Sequence, residues 1–237
     1  SRSTVSISRN NFKSSLSSAG GVMIESDMAS VYGNTVDEGV YGMVLRGPAL
    51  VENNIITRSA KTGLALYPEM GPSPSDESAV MSNTLVQNHN GVSVTASVNA
   101  PPATLANNLI YRGAGVGVAN LGTSSVTTSH NNVADYSTLY QGISADSGSL
   151  SVNPVLVADF PADPPTLRID SGSPLIDVGN CALATELDFD GAPRPFDGDF
   201  DNDPGCDIGA YEFGPAEVFI YADGVLADSE TFSTGRE

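Results

Sequence analysis

The chain has 237 residues, of which 28 are acidic and 10 basic, giving a formal net charge of -18. A field of that sign repels nucleic acids and anionic membranes, and no apolar run approaches the roughly 18 residues of a spanning helix, so nucleic-acid binding and direct membrane insertion are set aside. The 24 glycines, with abundant Ser, Asn, Thr and Val, favour short strands and turns over helices.

The opening Ser1-Arg2-Ser3-Thr4 already has strand-like composition, as expected of a mature or trimmed chain. From there a repeat runs forward. A segment of apolar-x-x-Asn followed by an apolar residue recurs at Val31 to Asn34, Val51 to Asn54, Val80 to Asn83 and Leu105 to Asn108, with Asn11 and Asn132 as looser members. The six asparagines Asn11, Asn34, Asn54, Asn83, Asn108 and Asn132 are separated by 23, 20, 29, 25 and 24 residues. A second marker follows each, a glycine leading into alternating apolar residues, at Gly21, Gly42, Gly63, Gly91, Gly115 and Gly142. Strands of three to five residues are unstable alone, but coils stacked about 4.8 Å apart pair every strand with its neighbours and align the inward side chains in columns. The pattern predicts an all-β fold, a right-handed parallel β-helix (solenoid) of about six coils, roughly 30 Å long. The asparagines are expected at sharp corners, where Asn tolerates bridge and left-handed backbone angles and its amide can bond the Asn of the next coil.

Insertions at 67–79 and 95–102 both follow the glycine-led strand and so leave the same corner of the rod. Four residues after the Asn stand Glu38, Arg58, Gln87 and Arg112, which puts Glu38 beside Arg58 as a surface pair on successive coils. Groups able to do acid–base work on a polysaccharide are few, namely His89, His130, Lys61, Arg58, Arg112, Asp135 and Tyr136. The two histidines stand at predicted corners, where a turn role competes with catalysis.

From Ser151 the repeat dissolves, and the last third is acidic. Cys181 and Cys206, the two cysteines of the chain, are expected to form a disulfide, against two free thiols or part of a metal site. Between 197 and 207 stand Asp197, Asp199, Asp201, Asp203 and Asp207. So many carboxylates repel one another unless a hard cation collects them, and they are read as ligands of a structural Ca²⁺, with Asp188 and Asp190 as secondary ligands. The alternative is a hydrated loop held by Arg194 and backbone amides. It is not an EF-hand, because the spacing lacks the closing Glu and the flanking helices. Val218 to Leu226, with Asp223-Gly224 between apolar runs, predicts a hairpin.

The segments Asn153-Pro154, Ser173-Pro174-Leu175-Ile176-Asp177-Val178-Gly179 and Asp207-Ile208-Gly209-Ala210-Tyr211-Glu212 carry a resemblance. They resemble the C-terminal region of bacterial secreted or cell-surface right-handed parallel β-helix proteins, relatives of the polymorphic outer-membrane repeat and sorting-anchor proteins. The likeness covers most of residues 1–213 and departs at Val155-Leu156, where Phe is commoner. It implies an extracellular or cell-surface location and no shared activity.

The expected organisation is therefore coils over 1–160, an Asp/Gly-rich cap over 161–213 that covers the last coil, and a hairpin or the start of a further domain over 214–237. The function expected is a noncatalytic structural, adhesive or glycan-binding module of a larger surface protein. Its partners would be polysaccharide or other cell-envelope components and further domains of the same parent chain. The alternative is a carbohydrate-active enzyme, a polysaccharide lyase, epimerase or glycosidase, with its site on a lateral face.

Overall fold

A computed structural model describes residues 3–14, 21–68, 76–157, 167–214, 216–222 and 225–232. Eighteen short strands, numbered in chain order, wind into three six-stranded parallel sheets. Sheet A holds β1 (Thr4–Ser8), β4 (Met28–Tyr32), β7 (Ala49–Glu52), β10 (Ser78–Met81), β13 (Ala103–Ala106) and β16 (Val126–Ser129). Sheet B holds β2 (Asn11–Lys13), β5 (Thr35–Asp37), β8 (Ile55–Thr57), β11 (Thr84–Val86), β14 (Leu109–Tyr111) and β17 (Asn132–Ala134). Sheet C holds β3 (Val22–Glu25), β6 (Tyr41–Arg46), β9 (Thr62–Tyr67), β12 (Asn90–Val94), β15 (Val116–Asn120) and β18 (Thr138–Gln141). Every strand pairs with its counterpart one coil away, which is the predicted solenoid.

Register turns the repeat into columns. Val31, Val51, Val80 and Leu105 align across sheet A and are fully buried. Val36, Ile56, Leu85, Ile110 and Val133 do the same across sheet B. Met43, Leu64, Val92 and Val118 complete the interior from sheet C. A glycine precedes each member of this last column, at Gly42, Gly63, Gly91 and Gly117. A Cβ on Gly91 would lie 2.4 Å from the Gly117 carbonyl oxygen and 2.5 Å from Ile110 Cγ2, so close passage of coil over coil requires glycine there. The column therefore runs through Gly117 rather than Gly115, and Gly142 lies past the end of β18 instead of leading a strand.

The acidic segment does not sit on the end of the rod. Residues 167–214 lie along the outer face of sheet B, where Leu167, Ile169, Leu175, Ile176, Ile208, Ala210 and Tyr211 pack on Ile55, Val86, Leu109, Tyr111 and Ala134. The last coil is met by residues 143–152 instead. Thr128 Oγ1 donates to the Ser144 carbonyl at 3.0 Å, Asn131 N donates to Ser149 Oγ at 3.1 Å, and Leu150 bridges Asn132 in parallel. The expected cap is thus a lateral strap. The reason lies in sheet B, whose strands β8, β11 and β14 are apolar on both faces and need cover inside and out.

Within the strap, Cys181 and Cys206 form a disulfide with their Cα atoms 5.4 Å apart. The expected boundary at 160/161 lies outside the described residues, as do Asp223 and Gly224. On either side of that pair, β19 (Ala216–Ala222) and β20 (Val225–Phe232) form an antiparallel two-stranded sheet. Among the described residues no helix is long and apolar enough to cross a membrane.

Candidate functional site

Among the described residues the coils turn through left-handed residues at two corners, and these corners place the polar side chains of the rod. At the corner between sheets A and B the positive φ falls on Arg9, Gly33, Asn53, Ser82, Asn107 and His130. The ladder asparagine is the next residue and has no positive φ. The left-handed angle expected of it thus belongs to the residue before it, while its side chain makes the expected bonds to the next Asn. Asn54 Oδ1 accepts from the main-chain N of Asn34 at 2.9 Å and from its Nδ2 at 3.0 Å, and Asn54 passes the same two bonds to Asn83 at 2.9 and 3.0 Å. Asn83 repeats them to Asn108.

The ladder ends are Asn10 and Asn131, not Asn11 and Asn132. Asn10 donates twice to Asn34, and Asn108 donates twice to Asn131. Asn11 and Asn132 open β2 and β17, and Asn132 exchanges bonds with Val152. Asn-Asn pairs occur at 10–11, 53–54, 107–108 and 131–132, so composition alone leaves the register open by one; strand pairing fixes it.

At the corner between sheets B and C the positive φ falls on Glu38, Arg58, Gln87, Arg112 and Asp135. With Asn131 as the last rung, the spacing of four residues past the Asn brings Asp135 into this column. Arg58 binds Asp37 through two nitrogens, and lies 3.5 Å from Glu38, so the expected partner is the more distant of two. Arg112 lies 3.8 Å from Asp135 and 5.0 Å from the centre of the Tyr111 ring. Together Arg58, Ser59, Gln87, Asn88, His89, Arg112, Gly113 and Asp135 line an open groove of about 600 Å³ along the rod. It runs on a different corner from the 95–102 insertion, which leaves the end of a sheet C strand; of the 67–79 insertion, residues 69–75 lie outside the described residues.

Of the catalytic candidates, the structure brings Arg58, His89, Arg112 and Asp135 to this groove. Tyr136 is buried beneath it against Gly113, and burial, aided by the Asp135 charge, pushes its hydroxyl above the ordinary range. Lys61 lies 5.6 Å from the centre of the Tyr41 ring. His130 stands elsewhere, at a left-handed position of the A–B corner, with Nδ1 2.9 Å from Ser129 Oγ and 3.7 Å from Asp146 Oδ2. Burial acts to raise the Asp146 carboxyl, but hydrogen bonds from Ser149, Gly148 and His130, with the His130 charge, hold it below its ordinary value.

Of the five predicted calcium ligands, two come together. Asp197 and Asp199 join Asp177, and one oxygen from each lies within 4.8 Å of the others. Three carboxylates at that separation fit a hard cation. The same carboxylates also accept backbone N–H groups, Asp177 from Gly198 and Gly205 and Asp197 from Asp201 and Asn202. Asp201 and Asp203 are exposed and outside this group, and Asp201 accepts from Asp203 N.

Asp207 is buried and turned away, accepting from Asp177 N and Phe213 N. Next to it Arg194 pairs with Glu212 at 2.8 Å and donates to the Asp207 and Gly209 carbonyls. Burial pushes the Asp207 and Glu212 carboxyls above their ordinary range, while the hydrogen bonds to Asp207 and the Arg194 charge pull the other way. Asp188 is likewise buried and accepts from the backbone of 190, 191, 192 and 212, and Asp190 pairs with Arg168. Asp177 was missed because it lies twenty residues before Asp197. The disulfide was the available signal, since joining Cys181 to Cys206 draws both neighbourhoods together.

A family model described as a right handed beta helix region matches residues 1–134. Neither the curated proteins nor the solved structures contain a match.

Proposed function

Because the chain belongs to the right-handed β-helix family, we propose that it is a noncatalytic structural, adhesive or glycan-binding module of a larger extracellular surface protein. Its partner is a polysaccharide or another cell-envelope component lying along the groove between sheets B and C. The make-up of that groove carries the reading. Arg58, Gln87 and Arg112 offer hydrogen-bonding groups on successive coils, about 4.8 Å apart along the rod, which suits an extended polymer. Asp135 is the one carboxylate among its described lining residues, whereas glycoside hydrolysis by the common route uses two. The disulfide supports an oxidising, extracellular setting. The resemblance at 173–213 to bacterial surface proteins supports the same location and further domains in the parent chain.

A structural Ca²⁺ held by Asp177, Asp197 and Asp199 belongs to the same proposal. Chelator should then lower the melting temperature of the full chain, and an unchanged melting curve counts against the ion. A second reading, a carbohydrate-active enzyme, draws on one observation: His89, Arg112 and Asp135 share a groove, so a base and a cation for a substrate carboxylate are close together. A glycan array and a pull-down from cell envelopes, assayed also for cleaved product, separate the two. Retention without turnover supports the module; turnover without retained ligand replaces it with the enzyme.

A further inference from the structure

Among the described residues, two hydrophobic clusters share no residue. One lies inside the rod and is made of residues from its three sheets; the other lies between the outer face of sheet B and the strap. Lifting the strap therefore leaves the interior of the rod as it is, while uncovering Ile55, Val86, Leu109 and Tyr111. Polar contacts cross the boundary at several coils: Tyr32 Oη donates to the Asp188 carbonyl at 3.1 Å, Ala210 N to Thr84 Oγ1 at 2.9 Å, and Asn180 Nδ2 lies 3.1 Å from Ser129 Oγ. Asn53 Nδ2 donates to Thr185 Oγ1 at 2.9 Å and to the Leu187 carbonyl at 2.6 Å. Asn107 is gripped from both sides of the disulfide. Its Oδ1 accepts from Asn180 N at 2.7 Å, its Nδ2 donates to the Asn180 carbonyl at 2.9 Å, and its carbonyl accepts from Gly209 N at 2.9 Å. Asn180 precedes Cys181 and Gly209 follows Cys206, so the two arms joined by the disulfide meet at this rod residue. Cys181 is exposed and Cys206 is buried.

We propose that the Cys181–Cys206 disulfide is a redox-sensitive latch, whose reduction by a dithiol frees the strap from a rod that stays folded and uncovers the apolar outer face of sheet B. One thiolate of the dithiol attacks the sulfur of Cys181, the exposed residue of the pair; the S–S bond breaks, and its electron pair leaves on Cys206 Sγ, which takes up a proton. The second thiol of the reductant then displaces Cys181, which is also protonated, and the reductant closes to a cyclic disulfide. Two electrons and two protons have passed to the protein. Opening a link between residues 25 apart returns chain entropy to the undocked state and weakens docking on the order of a hundredfold.

Hydrogen exchange on the full chain, with and without dithiothreitol, tests the latch. Peptides covering 175–183 and 205–214 should lose protection on the order of a hundredfold on reduction and regain it on reoxidation. Peptides containing Asn54, Asn83 and Asn108 should not change. A Cys206→Ala variant should show the reduced pattern without reductant. Strap peptides that keep their oxidised protection after reduction overturn the proposal. So do ladder peptides that lose protection in step with the strap, since rod and strap would then unfold as one.

Discussion

In the rod, a contact made once is made again one coil on: Val31, Val51, Val80 and Leu105 repeat one inward position, and Asn34, Asn54, Asn83 and Asn108 repeat one hydrogen-bonding role. In the strap every contact is single. Asp188 collects four backbone N–H groups, Arg194 ties Glu212 to two carbonyls, and one disulfide joins two turns. A repeated contact shares its load with the coils above and below, while a single one has no substitute. The rod should thus fail as a unit from its middle, and the strap should fail alone from any of its few anchors.

The largest effect should come from the interior column. Ile56→Ala, in a central coil, removes a fully buried side chain and should cost about 2–5 kcal/mol, with rod and strap lost together in thermal unfolding. Asn83→Ala comes next. It leaves Asn54 N without its acceptor in a buried setting, at about 1–3 kcal/mol, while Asn54 Nδ2 keeps the Val31 and Glu52 carbonyls. Asn107→Ala sharpens the contrast, because Asn107 is a corner residue and not a rung. It should loosen peptides 175–183 and 205–214 in hydrogen exchange while the ladder peptides hold; equal loosening of both would erase the distinction.

The smallest effect should come from Asp146→Asn at the end of the last coil. The carboxyl is depressed in the fold, so its contribution is present above the ordinary aspartate value of about 3.8 and is lost as pH falls through the folded value. Wild type should therefore melt above the variant near pH 6, and the two should converge in acid. A gap that widens in acid would be the wrong sign.

The rod was legible because its columns are repeated in the chain as they are in space. The error of one residue at Asn11 and Asn132 arose where Asn stands at two adjacent positions, one a rung of the ladder and one opening the next strand. The error at Gly115 has the same form, with Gly117 two residues on. The strap was legible as a disulfide and an acidic signature, but its position was not, because single contacts leave no period. One signal was present. Ile55-Ile56-Thr57, Thr84-Leu85-Val86 and Leu109-Ile110-Tyr111 carry apolar groups on both strand faces, so the outer face of sheet B had to be covered. Charge density does not separate a ligand from a buried acceptor for backbone amides, which is what Asp207 and Asp188 are.

Binding along the B–C groove without turnover is tested most directly by titrating the full chain and its Arg112→Ala variant with cell-envelope polysaccharide, with cleavage assayed in the same mixtures. The predicted result is binding that weakens about tenfold or more in the variant, at unchanged melting temperature and with no product formed. Cleavage by the full chain that the variant abolishes, or binding that the variant leaves intact, would contradict it.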